Sequence, residues 1–237
     1  MKTRLDQLTS EGFVILPSIF SNSEIEKIIN CIESNSNENK NFLKTNDLFA
    51  IRQLIKALPE LKPLLFTDKL REVLSSLFDT NFFLTKAIYF DKPQESNWFV
   101  SYHQDLSISV DQKIEMEGFT NWTFKKGQFG VQPPTKILAE TVTVRIHLDD
   151  TDKNNGALKV VPSSHQNGIV RLDSGEIKFD NEQLCEVKQG GIMLMKPLLF
   201  HASERSKNSQ KRRVIHLEFA IHKLANNLNW LELELLK

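Results

Sequence analysis

The feature that most restricts the fold of this chain is a change of hydrophobic period near residue 80. Before it, apolar residues recur at helical spacing. After it they gather in short runs rich in β-branched and aromatic residues, separated by Gly, Pro and Asn-Gly breaks. Strands with no helices between them cannot build the parallel sheet of an α/β protein. They must pair antiparallel, in a sandwich or barrel buttressed by the N-terminal helices.

The helical part has defined starts. Ser21-Asn22-Ser23-Glu24 has the form of a capping box, with Phe20 and Ile25 placed to close a hydrophobic staple, and Ile25, Ile28, Ile29 and Ile32 continue the stripe. Leu48, Ile51, Ile55 and Leu58 predict a second helix ending at Pro59. Leu70, Val73, Leu74, Leu77 and Phe78 predict a third, capped by Thr67-Asp68. The Asn/Ser/Glu-rich stretch from Ser34 to Asn41 reads as an exposed loop.

Strands are predicted over Phe82 to Phe90, Trp98 to Tyr102, Thr141 to Leu148, Leu158 to Val161, Ile192 to Lys196 and Arg213 to Ile221. Asn155-Gly156, between two of them, is the strongest hairpin signal. No repeat of fixed period is visible. Asp111 to Lys136 and Arg171 to Glu186 show no periodicity, as loops or lids would. The expectation is one domain over residues 1–237, with a helical part at 1–80 and a β core at about 82–222.

Composition excludes several partners. Thirty basic residues balance thirty acidic ones, so no charge excess argues for nucleic acid or an anionic membrane. No apolar run approaches the roughly 18 residues of a membrane span, and the first residues lack the pattern of a signal peptide. Cys31 and Cys185, the two cysteines, are too few for a disulfide scaffold or a cysteine-ligated zinc site. A cytoplasmic protein is expected.

Chemistry concentrates in the histidines, of which there are six. His103 and Asp105 form an H-x-D pair, and alternation in an extended chain sends both to one side. His201 follows about a hundred residues later. Two histidines and one carboxylate on one face of an octahedron leave three positions open, as in the non-haem Fe(II) oxygenases. The pair alone is weak: six histidines and twelve aspartates among 237 residues produce about 0.3 such pairs by chance. Arg212, eleven residues beyond His201, adds weight. A guanidinium beyond the metal suits a co-substrate that chelates iron at one end and ends in a carboxylate, the shape of 2-oxoglutarate. The adjacent Arg213 competes, and alternation lets only one of the two point inward.

With these residues in place, the chain resembles the phytanoyl-CoA dioxygenase family of Fe(II)/2-oxoglutarate oxygenases over most of its length. Gly12 to Pro17 is similar to the family's opening segment. Phe90 to Pro93 followed by His103-Gln104-Asp105-Leu106 is similar to its metal-binding strand. Leu148 to Leu158 and Val161-Pro162-Ser163-Ser164-His165 resemble its central turn, with serine in place of the usual glycine at 163, and Pro197 to Ser203 resembles the distal histidine segment. The resemblance implies a mostly β chain with N-terminal helices, folded as a double-stranded β-helix, or jelly roll. It implies iron on His103, Asp105 and His201, the distal carboxylate of 2-oxoglutarate on Arg212 beside Ser203, and Ile88, Gln104 and Arg145 near the co-substrate. Arg145 departs from the aromatic residue of the best-known members and could instead meet a substrate anion.

From pattern alone, Thr143, Arg145 and His147 face either a polar lumen or solvent. His147 is not chosen as a ligand; His165 reads as a turn residue, His216 shares the parity of Arg212, and His222 reads as a surface residue. Lys86 shares a face with Ile88 and could reach a cavity, or snorkel; Arg52 is a second cation in apolar surroundings. Trp122, in an aromatic and lysine-rich stretch from Gly118 to Pro134, either covers a substrate or anchors a loop. The implied activity is hydroxylation of a small organic substrate with 2-oxoglutarate and O2 as co-substrates. A peptide hydroxylase with a wide charged cleft in place of a closed lid is the first alternative, and a non-catalytic jelly roll that retains metal the second.

Overall fold

The computed structural model describes residues 2–35, 42–44, 49–78, 82–92, 99–125, 127–171, 179–208 and 210–235. The chain opens with α1 (Lys2–Glu11), β1 (Phe13–Leu16) and α2 (Asn22–Ser34), followed by β2 (Phe42–Lys44), β3 (Phe49–Arg52), α3 (Leu54–Ala57), α4 (Leu61–Leu65) and α5 (Asp68–Leu77). The body comprises β4 (Phe83–Lys92), β5 (Val100–His103), β6 (Ile108–Val110), β7 (Thr120–Lys125), β8 (Gln128–Gln132), α6 (Thr135–Glu140) and β9 (Val142–His147). It continues through β10 (Leu158–Val160), β11 (Gln183–Cys185), β12 (Ile192–Met195), β13 (His201–Ser203), β14 (Arg212–Ala220) and β15 (Glu234–Leu235).

The strands form the jelly roll. One sheet runs β1-β12-β9-β14-β4-β3-β2, with β15 also on β4, and a second runs β11-β10-β13-β5. The strand β6 and the hairpin β7–β8 form a small third sheet. The helices cover the outer face of the large sheet. In α2, Ser21 accepts from the Glu24 amide and Glu24 accepts from the Ser21 amide, completing the capping box. Ile25, Ile28 and Ile32 are buried in a cluster shared with Val144, Ile146, Ile215 and Leu217. Each such side chain contributes about 1.5–3 kcal/mol through burial. The helix α5 is capped by Thr67 and joins the same cluster through Leu70, Val73 and Leu74.

Alternation then decides the lumen. Val142, Val144 and Ile146 point to the helices, while Thr143 and His147 are buried on the opposite face and Arg145 lines a cavity between the sheets. The solvent-facing alternative for these three residues is excluded.

Four expectations change. Leu48 lies outside the described residues, and the rest of the stripe from Ile51 to Leu58 is not one helix: Phe49–Arg52 is a strand on the edge of β4, and only Leu54–Ala57 is helical. Gln53 turns the chain between them with a φ of 49°. The open edge of β4 supplies hydrogen bonds and a buried place for Ala50 and Ile51, which local helical spacing cannot anticipate. Asn155-Gly156 is a tight turn but not a hairpin, because β9 pairs with β12 and β14 whereas β10 pairs with β11 and β13. The turn carries the chain from one sheet to the other. The stretch from Asp111 to Lys136 contains the β7–β8 hairpin, whose strands lie mostly exposed and so carry little alternation. Finally, the β architecture is not confined to residues 82–222: β1, β2 and β3 belong to the large sheet, and the tail returns Trp230 to a buried position and β15 to β4.

Ser163, standing where the family pattern has glycine, has a φ of 65°, a conformation that costs a non-glycine residue about 1–2 kcal/mol. Its amide and hydroxyl donate to the Glu11 and Ser10 carbonyls, tying this turn to the end of α1. His165 lies in the following turn with its Nε2 3.1 Å from the Thr9 carbonyl. No described helix is long and apolar enough to cross a membrane.

Candidate metal centre and cavity

Between the two sheets lies a cavity of about 470 Å³. His103 ends β5 and His201 begins β13; the two are register partners, which sets their rings 4.2 Å apart. Asp105 follows β5, its amide donating to the Pro197 carbonyl, so the turn before β13 fixes the carboxylate against both imidazoles. The Nε2 atoms of His103 and His201 each lie 3.7 Å from a different Asp105 oxygen. Among the described residues these three form the one group of three or more potential metal ligands, with donor atoms within 4.8 Å of one another.

The ring orientations are set from behind. The Nδ1 of His103 is 2.9 Å from the Ser101 carbonyl, and that of His201 is 2.9 Å from the Leu199 carbonyl. A carbonyl can only accept, so both Nδ1 atoms carry the proton and both Nε2 lone pairs face Asp105. Burial lowers the His201 pKa to about 4 against the pull of Asp105, which keeps the ring neutral. Burial alone would raise the Asp105 carboxyl, but His201, His216 and His103 hold it down at about 2. A neutral His201 imidazole and an ionised Asp105 carboxylate are protonation states that suit binding of a divalent metal.

The inner end of the cavity is cationic. Arg212 is 5% exposed, and its guanidinium donates to the Gly156 carbonyl. Its Nε is buried without a partner, as is the Nε of Arg145. Neither arginine makes an ion pair with a carboxylate among the described residues. Burial and the proximity of Arg145 lower the Arg212 pKa to about 9, and burial lowers Arg145 to about 10 against the pull of Asp105. Lys92, register partner of Arg212, is buried too, with its ammonium 2.7 Å from the Glu204 carbonyl. Burial first and Arg212 second lower the Lys92 pKa to about 8. Gly156 is required here: at a φ of +84°, an added Cβ would come within 2.8 Å of the Glu204 carbonyl and 3.0 Å of the Lys92 ammonium. Three cations so placed need an anion that the described residues do not supply.

The remaining candidates fall on both sides of the cavity wall. Ile88, Ser203, Lys86 and Arg52 line it. Lys86 does not snorkel; it is bound 2.7 Å from Glu218 and donates to the Ser107 carbonyl. Arg213 points the other way, held by Asp149 at 2.7 Å and Glu33 at 3.0 Å. Gln104 departs from the expected position. Alternation between His103 and Asp105 turns it outward, where its amide donates to the Gly168 and Leu198 carbonyls and accepts from the Val170 amide. Trp122 also departs: Thr123 and Lys125 face the cavity, and Trp122 on the opposite side of β7 packs into a separate apolar cluster. His147 turns its Nδ1 to Thr151, and His222 is exposed at the surface beside Glu140.

Sequence reasoning missed Glu218 and Lys92. Glu218 shares the parity of Arg212 and His216, a signal that was legible. It lies 3.0 Å from His216 Nε2, whose other nitrogen approaches Arg145 at 3.5 Å. Lys92 carries no signal without knowing that β4 pairs with β14.

A model of the phytanoyl-CoA dioxygenase family matches residues 8–214. The chain belongs to this family. As a phytanoyl-CoA dioxygenase family member it shares its fold with several solved structures. HygX from Streptomyces hygroscopicus, with nickel, 2-oxoglutarate and hygromycin B bound, is 17% identical at a TM-score of 0.68, covering 93% of this chain and 87% of that one. EvdO2 from Micromonospora carbonacea var. aurantiaca, complexed with 2-oxoglutarate, is 17% identical at 0.68, covering 95% and 94%. The carbocyclase SnoK from nogalamycin biosynthesis is 14% identical at 0.69, covering 100% and 96%. No curated protein matches the sequence. At these identities the likeness to solved structures is one of fold.

Proposed function

We propose that this family member is an Fe(II)- and 2-oxoglutarate-dependent oxygenase that hydroxylates a small organic molecule. The observation that carries the reading is the convergence of His103 Nε2, His201 Nε2 and Asp105 at one end of a cavity whose inner end holds Arg212 with an unpartnered guanidinium nitrogen. The donor set suits a divalent metal with three open positions, and the buried cations suit a dicarboxylate reaching from the metal to Arg212. HygX and EvdO2, with 2-oxoglutarate bound, support the same reading.

When bound, iron and 2-oxoglutarate supply the oxidation, in which O2 is consumed, 2-oxoglutarate yields succinate and carbon dioxide, and an oxygen atom passes to carbon. The chain's own residues do the rest. His103, Asp105 and His201 hold the metal, and the Ser101 and Leu199 carbonyls keep the imidazole protons away from it. Arg212 and the Ser203 hydroxyl would hold the distal carboxylate of 2-oxoglutarate, and Ile88 and Arg145, which line the same cavity, would contact the co-substrate. The β7–β8 hairpin contributes Thr123, Lys125 and Phe129 to the cavity lining. The volume of about 470 Å³ suits a small molecule.

The test is anaerobic titration of Fe(II) in the presence of 2-oxoglutarate, followed by a substrate screen that reads out succinate. The unaltered protein binds one iron and one 2-oxoglutarate, and His103→Ala and Asp105→Ala lose stoichiometric iron. Normal iron binding by both variants overturns the ligand assignment.

A further inference from the structure

The charge lining the cavity exceeds what metal and co-substrate use. Five cations face it, Arg52, Lys86, Lys125, Arg145 and Arg212, against two carboxylates, Asp105 and Glu218. Glu218 is committed to Lys86 at 2.7 Å, and Asp105 belongs to the metal site. The two charges of Fe(II) and the two of 2-oxoglutarate cancel in number. Counted over the Arg, Lys, Asp and Glu side chains, the loaded cavity would retain three positive charges more than negative ones. With Arg145 and Arg212 assigned to the co-substrate and one charge of Fe(II) remaining beside Asp105, the other two fall at Arg52 and Lys125.

Both residues are placed to receive a ligand. Arg52 ends β3 opposite Ile88, and the packing of its neighbour Ile51 into the helix-side cluster turns Arg52 to the cavity face. Lys125 ends β7 on the hairpin over the cavity, on the same side as Thr123. Neither makes an ion pair or side-chain hydrogen bond among the described residues. Ser109 and Gln128 add neutral hydrogen-bonding groups to the lining, and Phe90 and Val100 add apolar wall.

Resting on the oxygenase reading, we propose that the primary substrate carries a phosphate or carboxylate group, received by Arg52 and Lys125, with its reacting carbon toward the metal triad. An uncharged substrate would leave Arg52 and Lys125 facing it without a counter-charge, and the partly buried Arg52 is the less well screened of the two. An anion offsets that surplus. Arg52 can grip two of its oxygens in parallel while Lys125 supplies a point charge.

The experiment uses protein loaded with Mn(II), which binds without turnover, and saturated with 2-oxoglutarate so that Arg212 and Arg145 are occupied. Inorganic phosphate and acetate are titrated separately by calorimetry, and the stronger of the two identifies the anion. Arg52→Ala and Lys125→Ala each weaken that binding about tenfold, the loss of one charge-assisted contact. Lys136→Ala, at an exposed lysine outside the cavity, leaves it unchanged. 2-Oxoglutarate affinity in the same preparations separates the two readings. If the unaltered protein does not bind 2-oxoglutarate, the oxygenase reading fails and this inference with it. If 2-oxoglutarate binds normally but neither anion does, or both cavity variants bind the anion as the unaltered protein does, the anion subsite alone is overturned.

Discussion

Arg212 and Arg213 are neighbours in sequence with opposite energetic roles, and exchanging each for alanine separates them. Arg213 is anchored on the outside of the barrel: its Nε and Nη2 donate to Asp149 at 2.9 and 2.7 Å, and Nη1 reaches Glu33 at 3.0 Å. A paired, half-buried guanidinium of this kind contributes about 1–3 kcal/mol. Its loss should lower the melting temperature by roughly 2–4 °C per kcal/mol in a protein of this size. Arg212 has no carboxylate partner among the described residues, and burial, with Arg145 nearby, disfavours its charge and lowers its pKa to about 9. At about 1.4 kcal/mol per pH unit, that disfavour amounts to several kcal/mol. Arg212→Ala should therefore leave the ligand-free melting temperature unchanged or raise it. If Arg212 holds the distal carboxylate of 2-oxoglutarate as proposed, the same substitution removes a contact worth about 1.5–3 kcal/mol and should weaken binding roughly ten- to a hundredfold. Arg213→Ala should leave binding near that of the unaltered protein. Thermal melts with and without 2-oxoglutarate, beside anaerobic titration with Fe(II), measure both quantities. Equal binding losses in the two variants, or a destabilised ligand-free Arg212→Ala protein with intact binding, refute the assignment.

Three further outcomes are expected. Gln104→Ala removes three hydrogen bonds that brace the turns around Gly168, Val170 and Leu198; it should lower stability by about 2–3 kcal/mol in urea melts while retaining 2-oxoglutarate affinity, and the reverse pattern would return the amide to the co-substrate. Burial pushes the Glu232 carboxyl up to about 7, against a contact from the Ala87 amide that lowers it. The folded state therefore holds this proton where the unfolded state has released it, and stability declines as pH rises from about 4.5 through 7; Glu232→Gln should stabilise by about 1–2 kcal/mol at pH 8 and little at pH 5, and a gain independent of pH contradicts this. If Asp105 is a metal ligand as proposed, it would occupy the coordination position that a halide needs, so product mass spectra should show no halogenated product even at high chloride, and a chlorinated product removes Asp105 from the ligand set.

Much of the architecture and site was legible in local residues. The capping box at Ser21, the isoleucine stripe of α2 and the switch to strand-forming runs rest on interactions within a few residues, so sequence alone carries them. The pairing of His103 with Asp105 needs only alternation, whereas distance from His201 leaves Arg212 and Arg213 as competitors and the family resemblance implies Arg212. The family resemblance supplied the order of the segments.

Other features exist only because distant strands meet. Phe49–Arg52 becomes a strand because β4 has an edge to cover, and Asn155-Gly156 joins two sheets rather than two paired strands because β9 and β10 find partners more than twenty residues away. Gln104 sits between two candidate ligands in sequence, but alternation turns it from the cavity into a brace. The burial of Arg145, Arg212 and Lys92 without carboxylates, and the unspent charge of Arg52 and Lys125, cannot be read from a chain whose net charge is zero. Local sequence therefore determined which segments are helix and strand over most of the chain, and which residue types could bind a metal. Tertiary structure alone decided which charges face one another and which face a cavity, because the energy of a charge depends on its distance to every other group and on the water excluded around it.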